Sequence, residues 1–244
     1  MIPEGYVLVF EDKFDGCSID LDKWNYRSTG KRRCGFNSPE QVSVENGNLI
    51  IRQQYRDGEF GPGWYSGMIS IKKRFLRGYF EIRCICNDHN RPDGFWSAFW
   101  LQARNPYDAE ISRGGPGGAE IDVIEGFRDA ATGEPGVESN IHVKGMKNPP
   151  PDSGCTEHLQ VVRRNIPDCY TAFHTYACEW TDKVYRFFVD GELTCETSWG
   201  DGVSTVDEEV IVSLELPGEC GHRHDYTTEF IVDYVRVYQK PGDL

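Results

Sequence analysis

Three carboxylates lie within six residues of one otherwise apolar segment, EIDVIE: Glu120, Asp122 and Glu125. Like charges that are packed together raise the pKa of at least one group, which leaves one ionised and one protonated carboxyl group at neutral pH. Retaining glycosidases use this pair, a carboxylate nucleophile about 5–5.5 Å from a carboxylic acid proton donor. The residue types therefore indicate acid–base chemistry on a glycosidic bond.

The spacing of the three carboxylates does not fit a regular strand. Side chains alternate along a strand, so Glu120, Asp122 and Ile124 would share one face while Glu125 pointed to the other. One β-bulge around Val123-Ile124 would bring Glu125 back to the face of the other two carboxylates. We therefore predict a bulge at this point and three carboxylates on one surface.

Two other interpretations of the acidic segment stay open. A solvent-facing edge strand could carry these residues, but Val, Ile and Phe at the intervening positions indicate a strand that is covered on its other face. A calcium site is the second alternative, although calcium normally uses a loop with a Gly at the turn and backbone carbonyl ligands.

The elements that must position these residues are strands. Short runs rich in Val, Ile, Tyr, Phe and Trp alternate with Gly, Pro, Asn and Asp along the whole chain. The predicted strands are 6–12, 40–54, 66–75, 78–86, 95–102, 119–127, 138–145, 173–181, 183–198, 209–217 and 229–239. Asn46-Gly47 and Asp190-Gly191 each lie between such runs and predict hairpins. Eleven or more strands predict an all-β, two-sheet sandwich or jelly roll.

Helical periodicity is not sustained anywhere, and the best helix candidate, residues 157–165, is short. Two long stretches rich in Gly and Pro, residues 103–118 and 145–158, flank the strands around residues 119–145. Long loops in a compact domain are more often functional than neutral. We expect these two to wall a cleft.

Composition excludes several classes of partner. The chain has 244 residues, with 26 Lys and Arg against 39 Asp and Glu, and a formal net charge of −13. This charge opposes binding to nucleic acid and to anionic membrane surfaces. No apolar run approaches the roughly 20 residues that a membrane-spanning helix needs. One β domain over residues 1–244 fits the length, and we expect a monomer.

Nine cysteines leave at least one thiol without a disulfide partner, and no C-x2-C pair indicates a structural zinc site. Cys84, Cys86, Cys178 and Cys195 lie in apolar, strand-like segments and are predicted to be small buried hydrophobic residues. The remaining five lie in turn-rich segments and could pair, in combinations that stay open: Cys17, Cys34, Cys155, Cys169 and Cys220.

The segment AEIDVIE resembles the E-I-D-x-x-E signature of glycoside hydrolase family 16, in the bulged form of laminarinase-like β-glucanases and related galactanases. The family's strands before the signature resemble LVFEDKFDG, NSPEQVSVENGNLII, SGMISIKKRFLRGYFEIR and DGFWSAFWLQ. Its later strands match FHTYACEWT, VYRFFVDG and FIVDYVRVYQ in order and spacing. The resemblance therefore covers most of the chain.

The resemblance implies a curved, concanavalin-like jelly roll with a concave polysaccharide cleft. Carried over by position, Glu120 would be the nucleophile and Glu125 the general acid/base, while Asp122 would hydrogen-bond the nucleophile. The expected reaction is endo-hydrolysis of a β-linked glycan with retention of configuration, and it needs no cofactor.

Aromatic residues near the signature are candidates for sugar binding. Trp96 and Trp100 are four residues apart, so they point the same way on a strand, and flat aromatic rings suit the apolar faces of pyranoses. By position in the family motif, Trp96 resembles a sugar platform, while Trp100 fits either a platform or core packing. Trp199, just beyond a predicted strand, lies where the family often places a cleft aromatic residue.

Polar candidates also follow from the resemblance. His142 matches a histidine that bulged members place near the acid/base, although a structural histidine is the alternative. Asn37 and Glu40 lie where laminarinase-like members carry polar sugar contacts.

A structural calcium ion is a further expectation from the resemblance. Gly47 and Asp233 match two of the family's ligand positions, whereas Lys13 replaces an acidic residue that many members carry there. Two departures concern the substrate: Gly126 follows the signature where laminarinase-like members usually have an aromatic residue, and VSLELPGE replaces an N-x-A-x-G-G type of segment.

The leading substrate class is β-1,3-glucan or mixed-linkage β-1,3-1,4-glucan. An enzyme acting on agar, porphyran or carrageenan is one alternative, and its sulfated substrates would need a cation from Arg74, Arg77, Arg104 or Arg113. A glycan-binding jelly roll without catalysis is the other, disfavoured because all three signature carboxylates are present. We expect a secreted, extracellular protein whose signal peptide is absent from this sequence.

Overall fold

The structure is a computed structural model. It describes residues 2–88, 94–103, 117–129, 132–142, 158–198, 202–221 and 224–243. Its eighteen described strands, in chain order, are β1 Val7–Asp12, β2 Trp24–Tyr26, β3 Gly30–Arg32, β4 Gly35–Asn37, β5 Val42–Glu45, β6 Asn48–Gly58, β7 Gly61–Ser66, β8 Met68–Ile71, β9 Gly78–Ile85, β10 Trp96–Ala103, β11 Glu120–Arg128, β12 Pro135–His142, β13 His158–Asn165, β14 His174–Trp180, β15 Tyr185–Val189, β16 Glu192–Thr197, β17 Glu208–Glu215 and β18 Thr227–Gln239. Two short 3-10 helices cover Pro39–Gln41 and Pro241–Asp243.

The strands form two sheets, which confirms the predicted all-β jelly roll. The larger sheet has eleven strands in the order β16-β15-β14-β9-β18-β6-β7-β4-β3, with β1 paired to β18 and β5 to β6. The smaller sheet has seven strands in the order β13-β12-β11-β10-β17-β8-β2. Its three middle strands are β11, β10 and β17, and β11 carries the predicted catalytic segment.

The hydrophobic core lies between the two sheets. Alternate residues of the smaller sheet, such as Phe99, Leu101 and Val212, are buried in one cluster with Leu49 and Val235 of the larger sheet. Because side chains alternate along a strand, the residues between them point to the opposite face of the smaller sheet. That outer face is where the functional site is built.

Both predicted hairpins are present. Glu45 pairs with Asn48 across the first turn and Val189 pairs with Glu192 across the second. The central residues of both turns have positive φ, between 50° and 79°, as a two-residue type I′ turn requires.

The helix candidate at residues 157–165 is not a helix. Residues His158–Asn165 form β13 at the edge of the smaller sheet, paired with β12. Pairing with β12 satisfies its backbone groups and overrides a weak local preference. No described helix is long or apolar enough to span a bilayer.

The cysteines divide largely as predicted. Cys84, Cys86 and Cys178 are buried thiols, and Cys195 is half-buried. Cys34 and Cys220 form a disulfide across 186 residues, whereas Cys17 and Cys169 are free. Cys155 lies outside the described residues.

Candidate active site

Three neighbouring strands place polar side chains in rows on the outer face of the smaller sheet. Gln102 of β10 pairs with Glu120 of β11, which pairs in turn with His142 of β12. One row along, Trp100 pairs with Asp122 and Asp122 with Asn140. Residues opposite each other in an antiparallel pair have close side chains, so sheet register brings distant parts of the sequence together.

The predicted bulge in β11 is confirmed. Asp122 pairs with Asn140 and Glu125 with Glu138, so two residues of β11 face the single Ser139 of β12. Val123 and Ile124, the two residues of the bulge, are both buried in the core between the sheets. The Ser139 hydroxyl donates to the Val123 carbonyl at 2.8 Å.

The bulge brings the three carboxylates to one pocket. Glu120, Asp122 and Glu125 line it together with Trp96 and Trp100. The remaining lining residues are Ala98, Arg32, Arg33 and Glu215. The solvent-facing edge strand is therefore not the arrangement found.

Glu125 is held from two sides. The Trp96 indole N–H donates to its Oε1 at 2.8 Å, and the Asn140 amide donates to its Oε2 at 2.7 Å. Burial and the negative charge of Asp122 raise the pKa of Glu125 to about 8, against the two hydrogen bonds, which favour the ionised form. Glu125 therefore holds a proton at neutral pH and can donate it.

Asp122 is the most buried of the three carboxylates, with 3 % of its surface exposed. Burial, followed by the charge of Glu120, holds the pKa of Asp122 well above its usual range. His142 Nε2 lies 3.1 Å from Asp122 Oδ2. Glu120, Asp122 and His142 each offer one ligand atom within 4.8 Å of the others, so these three are the described residues that could hold a metal ion.

Glu120 is only half-buried, and its partner is a residue that the sequence analysis missed. The Gln102 amide donates to Glu120 Oε2 at 2.5 Å. Gln102 lies two residues after Trp100 in the same strand, so its position on the cleft face follows from the alternation that already placed the two tryptophans.

The two tryptophans have different environments. Trp96 is half-buried, and the Arg33 guanidinium covers one face of its ring at 4.9 Å from the centroid. Trp100 is 6 % exposed, donates to Ser213 Oγ at 3.0 Å and has Arg27 over its ring at 5.1 Å. The ring of Trp100 is therefore packed between Arg27 and Ser213. Trp96 lines the pocket and donates a hydrogen bond to Glu125.

A hairpin stapled by the disulfide forms another wall. Cys34 links the β3–β4 hairpin to Cys220, and Arg32 donates to Glu215 Oε2 at 2.8 Å. Arg33 donates to the Leu216 carbonyl at 3.0 Å. Two arginines from the N-terminal part of the chain thus line the same pocket as the carboxylates, and only this long-range link could have indicated them.

Asn140 donates directly to the Glu125 carboxylate, a contact that the sequence had not indicated. The register of β12 decides this, because it sets His142 opposite Glu120 and Asn140 opposite Asp122, one step from the bulge. His142 lies beside Asp122 and Glu120, and it is also near enough to Glu125 for its charge to lower the pKa of that carboxyl group.

Asn37 and Glu40 do not reach the carboxylate pocket. Asn37 is 2 % exposed in β4, and Glu40 pairs with Arg56 at 2.5 Å in a short 3-10 helix. Trp199 and the long stretches expected to wall the cleft lie largely outside the described residues. Among the sulfate-binding candidates, Arg104 and Arg113 also lie outside them.

The two calcium candidates have other neighbours. Gly47 forms the hairpin turn between β5 and β6 with a φ of 74°. The Asp233 carboxylate accepts from Arg83 at 2.5 Å, so a guanidinium already supplies its positive charge. Calcium at this position stays a prediction.

Comparison with known families identifies the class of protein. A family model described as "Beta-porphyranase A-D, GH16 domain" matches residues 6–240. The chain therefore belongs to glycoside hydrolase family 16. It is an endo-acting glycoside hydrolase of β-linked glycans.

The chain is also similar to individual known proteins. A β-glucanase of Rhodothermus marinus is 28 % identical over 95 % of this chain and 85 % of its own length. β-Porphyranase E of Zobellia galactanivorans is 27 % identical over 78 % of this chain and 69 % of its own length. The crystal structure of SCLam, a non-specific endo-β-1,3(4)-glucanase, superimposes with a TM-score of 0.76 at 24 % identity, covering 98 % of this chain and 93 % of that one.

Proposed function

We propose that the protein is a retaining endo-β-glycanase in which Glu120 is the nucleophile and Glu125 the general acid/base. The bulge at Val123-Ile124 carries this proposal, because it turns Glu125 to the face of Glu120 and Asp122. The different environments of the two glutamates support their division of roles.

The reaction would proceed in two steps. A carboxylate oxygen of Glu120 bonds to the anomeric carbon, the glycosidic C–O bond breaks, and the Glu125 proton passes to the leaving oxygen. Water then gives a proton to Glu125 and its oxygen to the anomeric carbon, and Glu120 leaves as a carboxylate. Two inversions at the same carbon retain its configuration.

Asp122 would lie between the nucleophile and the acid/base in this scheme. Burial, followed by the charge of Glu120, raises its pKa, so the site disfavours a second negative charge beside the nucleophile. His142, 3.1 Å away, supports its position.

We propose β-1,3-glucan or mixed-linkage β-1,3-1,4-glucan as the first substrate class. The β-glucanase of Rhodothermus marinus supports this choice because the match extends over 95 % of the chain. We also propose that the protein acts on this polymer outside the cell. The Cys34–Cys220 disulfide supports this, because disulfides are typical of proteins from oxidising compartments.

A galactan of the porphyran, agar or carrageenan type is the second candidate. The matching family model supports it, and so do Arg32 and Arg33 in the pocket wall, since guanidinium groups suit sulfate oxygens. Arg74 and Arg77, expected for this role, are held elsewhere: Arg74 donates to backbone carbonyls, and Arg77 lies 3.6 Å from Asp243.

Incubation with separate polysaccharides tests the proposal. The panel contains laminarin, lichenan, xyloglucan, agarose, porphyran, carrageenan and mucin glycans, and the products are sized by chromatography. Glu120→Gln protein serves as the matched inactive control. We expect oligosaccharides from laminarin or lichenan; products from porphyran alone, reduced by Arg33→Ala, would select the second candidate. Equal products from wild type and control would contradict the proposed chemistry.

A further inference from the structure

A chain of three polar side chains ends on the proposed nucleophile. Gln102 Nε2 donates to Glu120 Oε2 at 2.5 Å, and Gln102 Oε1 accepts from Arg27 Nη2 at 2.6 Å. Arg27 Nε donates in turn to Glu209 Oε2 at 3.1 Å. None of these contacts belongs to the acid/base side of the pocket.

Arg27 is fixed by its surroundings. Its backbone N–H donates to the Met68 carbonyl at 2.9 Å, and its guanidinium lies over the ring of Trp100. The side chain is 22 % exposed. A guanidinium held in this way presents its Nη2 donor to Gln102 in one direction.

The charge of Arg27 decides which end of the Gln102 amide meets Glu120. If the amide turned over, its oxygen would face the Glu120 carboxylate and its NH2 group would face the guanidinium. Both contacts would be repulsive, because a carboxylate only accepts and a guanidinium only donates hydrogen bonds. Arg27 therefore keeps the amide donor on the nucleophile.

We propose that Gln102 and Arg27 are positioning residues for the nucleophile, which hold Glu120 Oε2 so that Oε1 bonds to the anomeric carbon. This inference rests on the proposed role of Glu120. In the ester, Oε2 is the carbonyl oxygen; as the C–O bond to the sugar breaks, negative charge returns to the carboxylate and the hydrogen bond from Gln102 strengthens. The donor thus favours the second step, release of Glu120.

Kinetics of single variants test the inference. The substrate is an aryl β-glycoside of an oligosaccharide that the enzyme releases, so that a good leaving group makes the second step limit kcat. Gln102→Met should lower kcat by about 10- to 100-fold, the range for a hydrogen bond to a charged group. KM should fall in parallel, because the glycosyl-enzyme accumulates, and intact-protein mass spectrometry should detect that species.

Arg27→Met should lower kcat by less, since the amide remains but loses its fixed direction. The Arg27→Met, Gln102→Met double variant should be no slower than Gln102→Met alone, because Arg27 acts through Gln102. Arg74→Met is the matched control: Arg74 also donates to residue 102, but to its backbone carbonyl, at 3.2 Å. We expect its kcat and KM to stay close to those of the wild type.

The outcomes separate this inference from the proposed function. Loss of activity in Glu120→Gln with an unchanged kcat in Gln102→Met would overturn the positioning role alone. A Gln102→Met protein that loses kcat/KM and thermal stability together, without accumulated intermediate, would also overturn it, since Gln102 would then be structural. An active Glu120→Gln protein would overturn the proposed function itself.

Discussion

The two glutamates on either side of the bulge have opposite environments. Glu125 is enclosed by Trp96 and Asn140, and burial raises its pKa to about 8. Glu120 instead accepts from Gln102, whose amide is oriented by Arg27. One end of the bulge therefore favours a protonated carboxyl group, and at the other end an amide donor holds the side chain of Glu120.

The contrast indicates how one strand could present the proposed acid and the proposed nucleophile five residues apart. Both side chains are glutamates on the same face, so neither residue type nor strand position distinguishes them. The neighbouring strands distinguish them. Residues of β12 and of the start of β10 donate to Glu125, whereas Gln102 at the end of β10, oriented by Arg27, donates to Glu120. Environment, more than identity, therefore distinguishes the two glutamates.

Removing the nucleophile should have the largest effect. Glu120→Gln keeps the shape of the side chain but cannot form the glycosyl ester, so kcat on any polymer substrate should fall by several orders of magnitude. Reducing-sugar assays give the rate, and circular dichroism checks that the fold persists. Turnover close to wild type would show that Glu120 is not the nucleophile.

Removing the acid/base should cost less and be open to rescue. Glu125→Ala should lower kcat by about 10²- to 10⁴-fold, the usual contribution of general acid–base catalysis. Azide should restore part of the rate on an activated aryl glycoside and give a β-glycosyl azide, detected by mass spectrometry and NMR. If azide has no effect on a slow variant, Glu125 is not the acid/base.

The Asn140 contact should tune the acid. Glu125 must hold its proton for the first step, so kcat/KM of the wild type should fall as pH rises through about 8. Asn140→Ala removes a donor to the ionised form, so the pKa of Glu125 should rise and the alkaline limb should move to higher pH. Its kcat/KM near neutral pH should fall by about tenfold because Glu125 is less well held.

Asn165→Ala is the matched control for this change. Asn165 also donates to a carboxylate, Glu134 Oε2 at 2.7 Å, but on the exposed side of β13. Its pH profile should equal that of the wild type. If the alkaline limb of kcat/KM does not move in Asn140→Ala, Asn140 does not control the pKa of Glu125.

A third carboxyl group should affect stability rather than activity. Glu208 is fully buried, accepts from the Ala119 N–H at 3.1 Å, and burial raises its pKa to about 8. Between about pH 4 and 8 the folded protein keeps this proton while the unfolded chain loses it, so its contribution to the free energy of unfolding falls as pH rises toward 8 and is lost above it. Glu208→Gln should weaken this pH dependence.

Urea denaturation between pH 5 and 9 measures the Glu208 effect. Relative to the wild type, Glu208→Gln protein should gain stability as the pH rises. The alkaline limb of kcat/KM should not move, because that limb belongs to Glu125. A shifted limb in this variant would assign it to Glu208 and weaken the contrast between the two glutamates.

Much of this arrangement could be predicted from local patterns. Alternation along β10 and β11 placed Trp96, Trp100 and the carboxylates on one face, and the misfit of Glu125 to that alternation predicted the bulge. Both signals operate within a few residues, where the strand period of two is a strict constraint.

Contacts between strands could not be predicted in the same way. Asn140 and His142 are two residues apart and share a face, so only the register of β12 decides which one meets Glu125. Arg32 and Arg33 reach the pocket through hydrogen bonds and a disulfide that join residues about 180 positions apart. A local sequence pattern does not encode contacts over that separation. The strand conformation of β13 likewise depends on its pairing with β12.

Trapping the covalent intermediate tests the central claim most directly. Glu125→Ala protein is incubated with the β-glycosyl fluoride of an oligosaccharide that the wild type releases, since fluoride leaves without an acid and the missing base slows hydrolysis. Protease digestion and fragment-ion mass spectrometry then locate the added sugar. We predict one glycosyl group on Glu120; a sugar on Asp122 or elsewhere, or fluoride release with no adduct and an α-configured product, would contradict the account.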